Sequence, residues 1–199
     1  MNQKGVTIWF TGLPCAGKTS ISKGVEEKLK SRGLQVERLD GDTVREGLSK
    51  DLGFSAEDRD QNIERVTFVA KLLTRNNIVV LSAFIAPYKR HREHARKEIG
   101  DFVEVFVNTP IEICEKRDIK GLYAKARAGK IQNFTGISDP YEAPENPEIE
   151  VKTADYSVEE SVDFVLQRLE ELGWVEPEND YSAEDEQKVA DRLKSLGYL

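Results

Sequence analysis

Cysteine is scarce in this chain of 199 residues, and the two present, Cys15 and Cys114, stand far apart with no Cys or His near them at ligand spacing. That excludes a zinc site and argues against a disulfide scaffold, leaving Cys15 as a loop residue and Cys114 as a core residue. A long hydrophobic run is missing too. Nothing approaches the roughly 20 apolar residues of a bilayer span, and the N-terminus carries no signal-peptide pattern, so the expectation is a soluble, cytoplasmic protein with no membrane partner. Positive charge is in deficit, with a net −7, which argues against nucleic acid, whose protein partners present a basic footprint. No internal repeat is present. The length suits one domain, 1–175, followed by an acidic tail, 176–199, in which Val189, Leu193 and Leu196 space out one amphipathic helix.

Against these absences stands one complete motif. Gly12-Leu13-Pro14-Cys15-Ala16-Gly17-Lys18-Thr19 spells a phosphate-binding loop, followed by Ser20. The apolar run Val6–Phe10 before it reads as a buried strand and Ser20–Leu29 behind it as a helix, which is the context the motif requires. Gly12 and Gly17 permit backbone angles that aim N–H groups inward, where the helix N-terminus adds to the anion site. Lys18 is then placed to reach the outer phosphates and Thr19 to hold Mg²⁺.

The rest of the chain alternates in kind. Leu34–Leu39 reads as a second strand running into Asp40-Gly41-Asp42, which is either a polar turn or two acids placed at a strand end to face the phosphates. Ser55–Asp58 opens a helix whose apolar face is Ile63, Val66, Val69, Ala70 and Leu73 and whose polar side carries Arg59, Asn62 and Arg65. Ile78–Leu81 is a buried strand running into Ser82–Pro87, and a charged helix spans Tyr88–Ile99, on which His91 and His94 are expected to be exposed. Phe102–Val107 is a fourth strand, Pro110–Arg117 a short helix, Glu148–Lys152 a fifth strand, and Ser157-Val158-Glu159-Glu160 a capping box that starts a helix through Leu172. Between them, residues 118–147 read as a long irregular excursion, hence a lid. Its start is basic: Lys116, Arg117, Lys120, Lys125, Arg127 and Lys130 face Asp118 alone, a set suited to gripping phosphates. The fold expected is α/β, a mostly parallel five-stranded sheet with helices on both faces and a lid.

Taken together, GLPCAGKT, LDGD followed by Arg45, LGFSAEDRDQNIER, VVLSAFIAPY and the stretch from Glu115 to Glu148 resemble the adenylylsulfate kinases, over about residues 5–174. The resemblance implies a P-loop kinase fold, a homodimer, and transfer of the γ-phosphoryl group of ATP to the 3′-hydroxyl of adenosine 5′-phosphosulfate, with Mg²⁺. It places the acceptor between Phe54 and Phe134, with Arg45, Arg59, Asn62, Ile85, Ala86, Lys120 and Asn133 around it, and the ATP adenine near Arg117 and Tyr156. From the loop motif Lys18 is expected to be catalytic, and from its strand-end position Asp42, with Asp40 as the competing candidate, is expected to orient or deprotonate the acceptor hydroxyl. The chain departs from much of the family at Ala86, where serine is frequent, and at Thr43, where asparagine is frequent. Two aromatic faces suit a purine, so a sugar-like acceptor fits less well than another nucleotide, which stays open as an alternative. A non-catalytic nucleotide sensor is the other, although the chain has no NKxD motif for reading guanine.

Overall fold

In a computed structural model, which describes residues 3–177, 191, 192 and 194, the strands are β1 (Val6–Thr11), β2 (Val36–Asp40), β3 (Val79–Ala83), β4 (Phe102–Asn108) and β5 (Ile149–Lys152). They form a sheet of order β2-β3-β1-β4-β5 in which every pairing is parallel. All six residues of β1 are buried, as a central strand covered on both faces requires. Its side chains alternate between two cores. Val6, Ile8 and Phe10 enter the larger cluster with Ile21, Val25 and Leu29 of α1 (Lys18–Ser31) and Val162, Val165 and Leu169 of α7 (Val158–Glu171). Trp9 enters the opposite cluster with Ile63 and Val66 of α3 (Ala56–Thr74) and Ala95 of α4 (Lys89–Ile99). Helices therefore cover both faces, as expected.

The helix starts follow from local chemistry. Ser55 and Ser157 each complete a reciprocal capping box, with Asp58 and Glu160, satisfying backbone donors that the first turn leaves open. A Cβ on Gly24 would lie 2.6 Å from Val162 Cγ2, so glycine there lets α1 and α7 approach closely.

The chain leaves β1 towards β2 but leaves β3 across the sheet towards β4. The loops after β1 and β3 thus diverge at the carboxyl ends of adjacent strands, where ligands gather in open α/β sheets. A short helix α2 (Gly41–Glu46) follows β2 directly, and α5 (Ile111–Lys116) follows β4.

Two expectations need correction. Residues 118–147 are not wholly irregular, because α6 (Leu122–Arg127) lies within them; six residues with Gly121 and Gly129 at either end are too short for an apolar period to show. His94 is exposed, but His91 is only 4% exposed, with Nε2 2.5 Å from Asp60 Oδ1 and its ring edge-on to Tyr88. Asp60 is 31 residues away, beyond the reach of any spacing rule. The tail helix expected from Val189, Leu193 and Leu196 lies outside the described residues. Among the described residues no helix is long and apolar enough to cross a membrane.

Candidate active site

The loop from Gly12 to Thr19 is held in shape by its own backbone. Gly12 has φ +151°, Gly17 has φ +110°, and Cys15 adopts φ +60°. At Gly12 a Cβ would come 2.5 Å from the Val107 carbonyl, so close packing on β4 adds a second reason for glycine. Lys18, at the start of α1, is buried and donates to the carbonyls of Gly12 (2.9 Å) and Leu13 (2.7 Å). Burial pulls its ammonium pKa down to about 8. Burial likewise pushes the Cys15 thiol up, which keeps it protonated and unreactive.

Thr19 donates its hydroxyl to Asp40 Oδ2 at 2.9 Å. Asp40 is itself buried, accepts from the Asp42 backbone N–H as the cap of α2, and pairs with Arg38 at 3.2 Å. The two acids of the DGD turn therefore sit differently. Asp42 is 86% exposed in its side chain, and Lys120 Nζ lies 3.6 Å from its Oδ2.

A cavity of about 460 Å³ opens beside the loop, lined by Cys15–Ile21, Arg117, Thr153 and the turn from Tyr156 to Val158, with Ser161 behind. Arg117 donates to both the hydroxyl and the carbonyl of Thr153, at 2.9 and 2.7 Å. The hydroxyls of Thr109 and Thr153 both reach the Ala16 carbonyl, at 3.0 and 3.2 Å. Those two threonines support the loop, and sequence reasoning has no means of finding them, since a buried hydroxyl on a carbonyl leaves no motif.

Of the residues expected around the acceptor, Arg45, Phe54, Arg59 and Asn133 come together from distant parts of the chain, with Phe134 following Asn133. Arg59 donates to the carbonyl of Phe54 (3.1 Å), to the carbonyl of Asn133 and to Thr135 Oγ1 (2.7 Å), and pairs with Asp139 (3.2 Å). One guanidinium thereby ties the backbones carrying Phe54 and Phe134 to each other. Phe54 is 62% exposed, and the Arg45 guanidinium lies 4.3 Å from its ring centre. Arg45 also donates to the Gly53 carbonyl at 2.8 Å. Burial and, after it, the neighbouring Arg59 push the Arg45 pKa down, with Asp58 opposing. Asn62 is buried. Asn133 and Ala86 both take positive φ, +55° and +41°. The Ile85 carbonyl accepts from Thr11 (2.6 Å) and the Ala86 carbonyl from the buried Arg92 (2.7 Å).

The basic run does not act as a block. Lys120 faces Asp42 and Arg117 faces the cavity, whereas Arg127 turns to Glu115. Tyr123, Asp139 and Tyr141, which sequence reasoning passed over, fasten the stretch instead: Tyr123 to the Pro14 carbonyl (2.9 Å), Asp139 to Tyr88 and Arg59, Tyr141 to Thr11 (3.0 Å). Among the described residues no group of three or more His, Cys, Asp or Glu could hold a metal. A hydroxyl beside a carboxylate, Thr19 and Asp40, is a hard-oxygen set that fits Mg²⁺, which takes few protein ligands and completes its shell with water and phosphate.

A profile of the adenylylsulphate kinase family matches residues 4–152. An adenylyl-sulfate kinase of Halothermothrix orenii is 60% identical over 174 residues, covering 87% of this chain and 94% of the relative. One from Picosynechococcus is 57% identical over 177 residues, covering 89% and 100%. The solved structure of the Mycobacterium tuberculosis APS kinase in complex with AMPPNP and APS superposes with a TM-score of 0.81 at 47% identity, over 84% of this chain and 99% of that one. A gluconokinase from Sinorhizobium meliloti, at 18% identity and a TM-score of 0.59, shares the fold alone. With a phosphate loop, a five-stranded parallel sheet and this degree of identity over nearly all of the domain, the chain belongs to the adenylylsulphate kinase family.

Proposed function

We propose that this protein transfers the γ-phosphoryl group of ATP to the 3′-hydroxyl of adenosine 5′-phosphosulfate, giving 3′-phosphoadenylyl sulfate and ADP. The observation that carries the reading is the pairing of two unlike groups of residues, a phosphate loop and two arginines beside aromatic rings. The first holds Lys18 and the Thr19–Asp40 contact; the second holds Arg45 and Arg59 beside Phe54 and Phe134. ATP lies in the cavity with its adenine against Arg117 and Tyr156 and its phosphates in the loop Gly12–Ser20. Thr19, oriented by Asp40, would hold Mg²⁺, which when bound neutralises charge on the β- and γ-phosphates. The acceptor purine lies between Phe54 and Phe134, with Asn62, Ile85, Ala86, Lys120 and Asn133 around it, and the phosphosulfate meets the forked donors of Arg45 and Arg59.

Asp42 orients the acceptor hydroxyl and takes its proton as the oxygen attacks phosphorus. Lys18 stabilises charge on the transferring group, and the P–O bond to ADP breaks in line. Ala86 has no nucleophilic atom, so no phosphoenzyme forms there and transfer is direct. The closing of residues 118–135 over both nucleotides, a homodimer in solution and a cytoplasmic location belong to the same proposal. The deciding experiment is ATP turnover with a panel of acceptors, adenosine 5′-phosphosulfate first, then adenosine 5′-monophosphate and a sugar acid. Formation of ADP and 3′-phosphoadenylyl sulfate only with the first is the expected result. Turnover with another acceptor in preference would overturn the assignment.

A further inference from the structure

Tyr123 is 2% exposed and touches both halves of the site. Its hydroxyl donates to the carbonyl of Pro14, inside the phosphate loop, at 2.9 Å. Its ring meets that of Phe134 edge-on, with centres 4.9 Å apart and planes at 76°. The residue is itself fixed, since its backbone N–H donates to Asp118 Oδ2 at 2.7 Å as α6 begins. A second contact runs beside the first. Gly136, two residues past Phe134, sits so close to the loop that a Cβ there would come 2.8 Å from Leu13 Cδ2.

The consecutive residues Leu13 and Pro14 are thus the places where the stretch carrying Phe134 rests on the phosphate loop. We infer that Tyr123 is a positioning residue through which nucleotide bound in the phosphate loop and acceptor bound at Phe134 strengthen each other's binding. This rests on the acceptor reading above. A ligand that orders the loop fixes the Pro14 carbonyl, which fixes the Tyr123 hydroxyl and with it the ring against which Phe134 is set. The ordering cost is met once, so the second ligand binds a site already arranged, and by linkage the effect is reciprocal. Burial pushes the phenol pKa far up, so the hydroxyl remains a donor at every working pH.

The test uses ADP with adenosine 5′-phosphosulfate, a pair that cannot react forward, and calorimetry on the whole chain. The dissociation constant of each ligand is measured alone and with the other saturating. In the wild type each is expected to tighten the other by about 5-fold or more, the lower end of usual couplings. Tyr123→Phe keeps the ring contact and loses the hydroxyl; its coupling should fall towards one while ADP alone binds within about threefold of wild type. Phe134→Leu approaches from the other end and should also abolish the coupling without weakening ADP alone. A merely structural tyrosine would lower the melting temperature and leave the ratio of constants intact, and that result overturns the inference. So does binding of both ligands to the wild type without coupling. Failure of adenosine 5′-phosphosulfate to bind the wild type at all would overturn the acceptor reading together with this one.

Discussion

The phosphate loop and the proposed acceptor side are built by different means. The loop is eight consecutive residues whose shape is set by backbone angles at Gly12, Cys15 and Gly17 and by packing on β4. Its working side chain is buried and bonded to the loop's own carbonyls. The acceptor side is assembled from side chains on segments far apart, joined mainly through Arg59, whose contacts reach 74 and 76 residues along the chain. A local structure of this kind is cheap in ordering entropy and tolerates little substitution. An assembled one depends on long side chains whose removal loosens binding before it stops the chemistry.

The largest effect should therefore fall on the loop. Lys18→Ala is expected to lower kcat by about 10²–10³, the usual loss for one preorganised donor to developing charge. The same residue sets a pH limit. Its protonated form is the one that meets phosphate, and its pKa lies at about 8 instead of the ordinary lysine value, so kcat/KM for ATP should fall as pH rises past 8. A profile flat to pH 9.5, or near-normal turnover of Lys18→Ala, would break the assignment.

Next come the two acids of the Asp40-Gly41-Asp42 turn, where the comparison can be sharpened. Asp42 is exposed, with Lys120 3.6 Å from its carboxylate, while Asp40 is committed to Thr19, Arg38 and the cap of α2. Asp42→Asn should lower kcat about 100-fold and leave ATP affinity nearly unchanged. Asp40→Asn should instead weaken Mg²⁺ binding, seen as a raised metal requirement. Exchanged phenotypes would reverse the two roles.

A smaller loss is expected on the acceptor side. Arg59→Lys keeps the charge but cannot bridge the Phe54 and Asn133 carbonyls while pairing with Asp139. The KM for adenosine 5′-phosphosulfate should rise by about 10-fold, with the KM for ATP little changed. An equal rise in both would show that the two regions are not separable in this way.

The same difference governs what could be read from the sequence. The loop, the strands around it and both capping boxes were legible because their signals are local: a motif, an apolar run, a Ser three residues before an acid. Arg45, Arg59, Phe54 and Phe134 were reached only through the resemblance, since no spacing rule joins residues 54 and 134. Thr109, Thr153, Tyr123, Asp139 and Tyr141 were missed. Each acts through a single hydroxyl or carboxylate on a partner 51 to 137 residues away, and neither composition nor period records that. Helix α6 escaped because two glycine-bounded turns of chain look like loop.

The smallest effect is on stability, and it comes from His91, which the sequence left at the surface. Its ring is buried against Tyr88, with Asp60 at Nε2, Arg90 and Arg92 nearby, and no hydrogen-bond partner at Nδ1 among the described residues. Burial pushes its pKa below the ordinary value; Asp60 opposes this but does not prevail. A second ring proton would sit on Nδ1 without an acceptor, which gives the shift a structural cause. The unfolded chain then binds a proton near pH 6.5 that the folded chain refuses, so stability should fall as pH drops through 6.5. The Asp60 carboxylate is held below its usual range by His91 and Arg90, and its own contribution is lost only at lower pH. The interval from pH 7 to 5.5 therefore isolates the imidazole. Across it the wild type should lose at most about 3 °C in Tm, and His91→Gln, which can still bond Asp60 but cannot titrate, should lose less. Equal slopes in the two proteins would assign the acid sensitivity to another group and leave His91 as a packing residue only.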